Sequence, residues 1–312
     1  MKRIVLLAAG VLAALSLTAA PASAGASGAS NVCNGWEAES SASFSSLGSL
    51  TASASTARGI GRGEPNINAN FAALPLGTDG QADPSFDVTV PVWFHVITDG
   101  ATGNLTDAQI SAQMTVLNLA YAGFYGGYDT GFSFELQGVT RTDNATWFNA
   151  RLGGGAERDM KSTLREGGFE TLNIYTSLAG GYLGYAYYPG LPDSRQYLDG
   201  AVIHWASVPG ASTLFAGRYD LGQTLTHEVG HWLALAHTFE GGCNAKGDYV
   251  EDTPAMAVPT SGCPAGKDTC VREPGLDPIE NFMDYSYDAC YEAFTEGQAD
   301  RSQEAWNAFR DR

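Results

Sequence analysis

Positive charge is scarce in this chain: 17 Lys and Arg face 34 Asp and Glu, for a formal net charge of −17. Nucleic-acid binding needs clusters of Lys and Arg to neutralise phosphate, so nucleic acid is not expected as a partner. Acidic loops suit calcium or cationic substrates instead. Long apolar runs are missing too. The stretch Ile4 to Leu17 is shorter than the ~20 residues that cross a bilayer, and no later segment comes closer, so no membrane span is expected. Lys2 and Arg3 precede that stretch and Ala22-Ser23-Ala24 follows it, the layout of a cleaved secretory signal peptide over 1–24. The expected location is therefore secreted and extracellular.

Cysteine is sparse, with five residues at 33, 243, 263, 270 and 290. An oxidising compartment favours pairing them. Two bridges among the last four leave Cys33 over, and those four allow three pairings. Large apolar residues are few between Ala38 and Gly63, where Ser, Ala and Gly dominate. Such a stretch buries too little surface to offset its ordering entropy. Residues 25–62 read as a pro-segment or linker, and "ARGIGRG" offers Arg58 and Arg62 for processing. The catalytic domain is expected over 63–312.

Patterned structure begins near Asp87. Val88, Val90, Val92, Phe94 and Val96 alternate with other residues, as in a strand, although Pro91 argues against a fully central position. In "LTDAQI", Thr106 and Gln109 fit a capping box, and Leu105 with Ile110 fits a hydrophobic staple. Ile110, Met114, Leu117 and Tyr121 then share a helical face. Strands follow at Phe132–Val139, Leu172–Thr176 and Ala201–Trp205, with a helix over Ala156–Arg165. Alternating strands and helices predict an α/β layer. Beyond His237 the chain turns rich in Gly, Pro, Asp and Cys. It closes on a helix that Thr295 and Gln298 cap, with Ala299, Trp306 and Phe309 on one face.

Histidine is scarce as well, yet three of the five fall within "HEVGHWLALAH", His227 to His237. Residues four apart stack on one face of a helix, so His227 and His231 can both reach a zinc ion at ~2.0–2.1 Å. Glu228 is offset by one position. It is placed to take a proton from water acidified by the metal and to return it to the leaving amine. His237 lies six residues past His231, about 600° further round a continuous helix. It can be the third ligand only if the helix ends near Leu233 and the chain bends. HExxH patterns with this spacing usually place glycine at the bend; here it is Ala234, whose Cβ disfavours positive φ. That departure leaves a second ligand set open, with Glu251, Asp248 or Asp252 as third ligand. A third possibility is a non-catalytic secreted adhesion module with a structural zinc. His95 and His204 lie in strand-like runs without partners, where ordinary packing is the better reading.

At "HEVGHWLALAHTFEGGC" the chain resembles the pappalysin (cytophagalysin) family of metzincin zinc proteases. The resemblance continues through "GDYVEDTPA", "GCP", "DTC", "DPIENFMDYSYDAC" and "FTEGQ", spanning His204 to Gln298. It implies a twisted mixed β-sheet with the active-site helix in an N-terminal subdomain, and a loop-rich, disulfide-linked C-terminal subdomain with a terminal helix. It implies His227, His231 and His237 as zinc ligands, Glu228 as catalytic base, Met283 as the Met-turn, and Tyr285 as a hydrogen-bond donor to the developing oxyanion. It pairs Cys243 with Cys270 and Cys263 with Cys290, and places calcium at Asp248, Glu251, Asp252 and Thr253. Cys33 is then expected to act as a latency switch on the zinc, its thiolate occupying the water's place. Asp288 is expected to reach the S1′ pocket and favour Arg or Lys at P1′. The expected activity is a monomeric zinc endopeptidase whose substrates are peptides held along an edge strand, suggested at Ala201–Trp205.

Overall fold

A computed structural model describes residue 76 and residues 80–312, apart from 245 and 246. The expected signal peptide, the pro-segment, Cys33, Arg58 and Arg62 lie outside the described residues. The first strand, β1 (Val88–Thr98), is followed by helix α1 (Asp107–Tyr121), β2 (Phe132–Asp143), a short helix α2 (Ala145–Phe148) and α3 (Gly155–Leu164). Then come β3 (Leu172–Ser177), β4 (Gly184–Ala186), β5 (Ala201–His204), α4 (Gln223–Trp232) and α5 (Glu296–Ala305). The five strands form one mixed sheet in the order β2-β1-β3-β5-β4. Only β4 runs antiparallel to its neighbour. This is the mixed α/β architecture expected from the sequence.

Both faces of the sheet are covered, because alternate side chains of β1 point to different cores. Val90, Val92, Phe94 and Val96 pack with Ile110, Met114 and Leu117 of α1 and Leu225, Val229 and Trp232 of α4. Ile97 faces the other way, into a cluster with Tyr175, Val202, Trp147, Phe148 and Met160. Pro91 is tolerated inside a central strand because pairing with β3 begins only at Val92, so Pro91 has β2 alone as neighbour. The Thr106–Gln109 capping box forms as expected, and Leu105 and Ile110 are both buried at the start of α1.

Ala201–Trp205, expected as the substrate-binding edge, is not an edge. β5 lies between β3 and β4, and Trp205 already belongs to a 3-10 turn. The edge strand on that side is β4, which pairs with β5 alone. Its three residues lie in "GYLGYAYYPG", too short and too rich in Gly and Tyr to show a period of two.

From Ala234 to Phe294 the described residues hold no α-helix and no strand longer than an isolated bridge. Cross-links take over. Cys243 is bonded to Cys270 and Cys263 to Cys290, with Cα separations of 5.5 and 5.9 Å. Each closes a loop of 27 residues, which stabilises by ~3–4 kcal/mol in the chain-entropy account.

Candidate metal centre

Helix α4 places His227 and His231 on one face, and both are buried beneath the sheet. The helix stops at Trp232 through backbone bonds of Schellman type. Leu235 N–H donates to Gly230 O at 2.9 Å and Ala234 N–H to His231 O at 3.0 Å. Ala234 occupies the left-handed position with φ 71°, so alanine takes the conformation that glycine usually supplies. Burial of Leu235 against Gly230 and a hydrogen bond from Arg301 Nε to Ala234 O at 2.9 Å hold the bend in place. The bend brings His237 back to the helix.

The three Nε2 atoms converge. His231 Nε2 lies 3.1 Å from His227 Nε2 and 3.0 Å from His237 Nε2. Nitrogens on one tetrahedral zinc at ~2.0–2.1 Å lie roughly 3.3 Å apart, so the spacing fits that ion. The other ring nitrogens set the tautomers. His227 Nδ1 donates to Phe282 O at 2.6 Å and His231 Nδ1 to Leu235 O at 2.8 Å. That leaves Nε2 lone pairs facing one another, an arrangement that repels unless a cation lies between them. Burial lowers the pKa of His227 to about 4 and those of His231 and His237 further, with neighbouring imidazoles adding to the effect. The rings are thus neutral and ready to ligate. Among the described residues no other group of His, Cys, Asp or Glu converges in this way. Asp248, Glu251 and Asp252 do not join the histidines, which removes the basis for the alternative ligand set.

The segment around Met283 forms the floor. Met283 is fully buried, and a methyl group added to Gly230 would collide with its sulfur. Its backbone matters equally: Phe282 O holds His227, and Met283 O accepts from Thr238 N–H at 3.2 Å, beside His237. Asn281 and Gln298 exchange side-chain bonds of 2.8 and 3.0 Å, tying this floor to the start of α5. Tyr285 is partly exposed, its ring centroid 5.6 Å from that of His227 and 4.9 Å from that of His237. Glu228 is buried beside them, against Gly184 of β4.

Asp288 is buried where α4 begins. Its Oδ2 accepts from Leu221 N–H at 2.8 Å, while Oδ1 makes no hydrogen bond. Desolvation, with Asp220 adding to it, raises its pKa to about 7. The expected calcium residues are divided. Asp248 and Thr253 are buried, and desolvation raises the Asp248 pKa to about 7. Neither Asp248 Oδ2 nor Thr253 Oγ1 makes a hydrogen bond of ordinary geometry. Glu251 and Asp252 are exposed, and Asp252 accepts from Gly297 N–H at 2.9 Å and Thr295 Oγ1 at 2.7 Å at the start of α5. His95 and His204 pack as ordinary core residues. His95 bonds Thr140 and Asn173, and His204 accepts from Ala206 N–H. No motif or periodicity marks Tyr188, whose hydroxyl nevertheless lies 2.5 Å from His231 Nδ1.

The family described as "Peptidase_M43: Pregnancy-associated plasma protein-A" matches residues 208–307. An extracellular metalloprotease of Pyricularia oryzae is 47% identical over 229 residues, which cover 72% of this chain and 76% of the relative. One from Colletotrichum graminicola is 46% identical over 230 residues, covering 72% and 78%. Among solved structures, mature mirolysin of Tannerella forsythia in complex with a cleaved peptide superposes with a TM-score of 0.61 at 31% identity. That match covers 70% of this chain and 92% of mirolysin. A promirolysin mutant gives 0.65 at 27% identity, covering 82% and 92%.

Proposed function

Because the chain belongs to the pappalysin family of metzincin metalloproteases, we propose that this zinc metalloendopeptidase cleaves peptide bonds with His227, His231 and His237 as its metal ligands. The convergence of three buried, neutral imidazoles carries that assignment. Zinc, when bound, supplies Lewis acidity: it acidifies water and polarises the scissile carbonyl. Glu228 takes the proton from water at a carboxylate oxygen and passes it to the leaving nitrogen. Tyr285 donates from its hydroxyl to the carbonyl oxygen as negative charge develops there. The open side of β4 offers backbone N–H and C=O groups to an extended peptide.

The relatives named above are extracellular enzymes, and among the described residues no helix is long and apolar enough to cross a membrane. The names of these relatives support an extracellular site of action on peptide substrates. Metal analysis tests the centre. Purified protein is expected to hold about one zinc per chain, to stop digesting casein when a chelator removes it, and to recover when zinc is restored. Zinc-free protein that still cuts casein ends this reading. The same measurement tests for the calcium expected at Asp248, Glu251, Asp252 and Thr253.

Asp288 is proposed to favour Arg or Lys at P1′, on the strength of its buried oxygen that lacks a hydrogen bond. A cation there would pair with the carboxylate. Asp288→Asn is expected to lower kcat/KM for Arg-P1′ peptides by about 10–100-fold relative to Leu-P1′ peptides. With the carboxyl pKa raised to about 7, protonation removes its charge as pH falls. The Arg-over-Leu preference should therefore grow from pH 6 to pH 8. A ratio that is indifferent to both the substitution and the pH removes Asp288 from the pocket.

A further inference from the structure

We propose that the edge segment Gly184–Tyr188 is a positioning element for the catalytic centre, with Gly184 setting where Glu228 lies and Tyr188 setting how His231 faces the metal. The inference rests on the reading of Glu228 as base and His231 as ligand.

Gly184 is the first residue of β4 and pairs with Ile203 of β5. Its φ is not positive, so its backbone makes no demand for glycine. The demand is for space. A Cβ built on Gly184 would lie 2.5 Å from Oε1, 2.7 Å from Cγ and 2.8 Å from Cδ of Glu228. Turning only the terminal carboxylate cannot relieve this, because Cγ is itself in collision. The whole side chain would have to change rotamer inside a site where Glu228 is 5% exposed. The missing side chain on the strand thus defines the place of the carboxylate on the helix.

Four residues on, Tyr188 Oη lies 2.5 Å from His231 Nδ1 and donates to Leu235 O at 3.0 Å. Leu235 O is itself 2.8 Å from the same Nδ1. When Nε2 offers its lone pair to a metal, Nδ1 carries the proton and is shared between these two oxygens. The three groups fix the plane and the tautomer of the ring, which is how partners of a metal-bound histidine tune affinity. Leu235 lies two residues before His237, so Tyr188 also braces the arm that returns the third ligand. A peptide pairing along β4 therefore meets a strand already referenced to both the base and the metal.

Three variants of the full-length secreted protein test this. Gly184→Ala is expected to keep its zinc and its KM, while kcat falls by about 10–100-fold. Tyr188→Phe is expected to yield zinc to a chelator about 10–100 times more readily. Glu228→Gln reports on the underlying reading. A Gly184→Ala enzyme with wild-type turnover beside an inert Glu228→Gln enzyme overturns the role of Gly184 and leaves the base in place. An active Glu228→Gln enzyme sinks the reading of the base itself. Tyr188→Phe that holds zinc like the wild type overturns the role of Tyr188. Loss of zinc and thermal stability together in both single variants would make the segment mere framework and overturn the proposal.

Discussion

Glu228→Gln is expected to lower kcat/KM on peptide substrates by about 10²–10⁴-fold, the usual contribution of a positioned acid–base group. The amide is nearly the same size as the carboxylate, so it keeps the contact with Gly184 and the fit in a site where the residue is 5% exposed. What it loses is the ability to accept a proton. The three imidazoles and their backbone partners Phe282 O and Leu235 O are untouched, so zinc content should stay at the wild-type value. The loss should appear in kcat with little change in KM, because proton transfer is needed in the transition state and not to hold substrate. Kinetics on a fluorogenic peptide, with metal analysis of the same preparation, provide the check. A glutamine variant that digests casein as fast as the wild type would leave a structural zinc site as the better reading of the centre.

Arg310→Ala is expected to produce the largest loss of stability, about 3–5 kcal/mol, because it strands a buried carboxylate. The α5 helix widens into a π-type turn over Trp306–Arg310, and that turn carries Arg310 inward until it is 1% exposed. Its Nη1 lies 2.7 Å from Asp199 Oδ2 and its Nη2 donates to Trp232 O at 2.8 Å. The guanidinium also stacks over the Trp232 ring, with Cζ 3.8 Å from the centroid. Trp232 Nε1 donates to the same Asp199 oxygen at 3.0 Å. Without Arg310, Asp199 keeps Trp232 and a more distant Arg165 at 3.7 Å, and the Trp232 carbonyl loses its guanidinium donor. For a domain of this size the thermal midpoint should drop by on the order of 10 °C. The double variant Asp199→Asn, Arg310→Met should lose less than Arg310→Ala alone, since no buried carboxylate is left behind and only Arg165, 3.7 Å away, loses a counter-ion. A thermal midpoint within ~2 °C of the wild type for Arg310→Ala would show the pair to be energetically neutral. Trp232 directly follows His231, so this network also anchors the end of the metal-binding helix to the last turn of the chain.

Features that depend on neighbours in the chain are legible in the sequence. The capping boxes at Thr106–Gln109 and Thr295–Gln298 form as expected, because both partners lie within one helical turn. His227 and His231 share a face for the same reason. The alternation in β1 marks a strand, but not that both of its faces are buried. The edge strand is β4 and not Ala201–Trp205, since strand order is set by pairings between distant segments and β4 is three residues long. Ala234 opposes the bend on local grounds: alanine at φ 71° costs roughly 1 kcal/mol. The cost is borne because two backbone bonds, the burial of Leu235 and Arg301 from α5 over-determine the bend.

Sequence by itself determined the residue types and spacings of the metal-binding helix, both capping boxes and the acidic character of the chain, because those follow from composition and from helical periodicity. Only the tertiary structure decided that His237 returns to the helix, that Gly184 leaves room for Glu228 and that Tyr188 braces His231. Those contacts depend on a bend that local preference opposes and on segments tens of residues apart, and no local preference encodes which of them will meet.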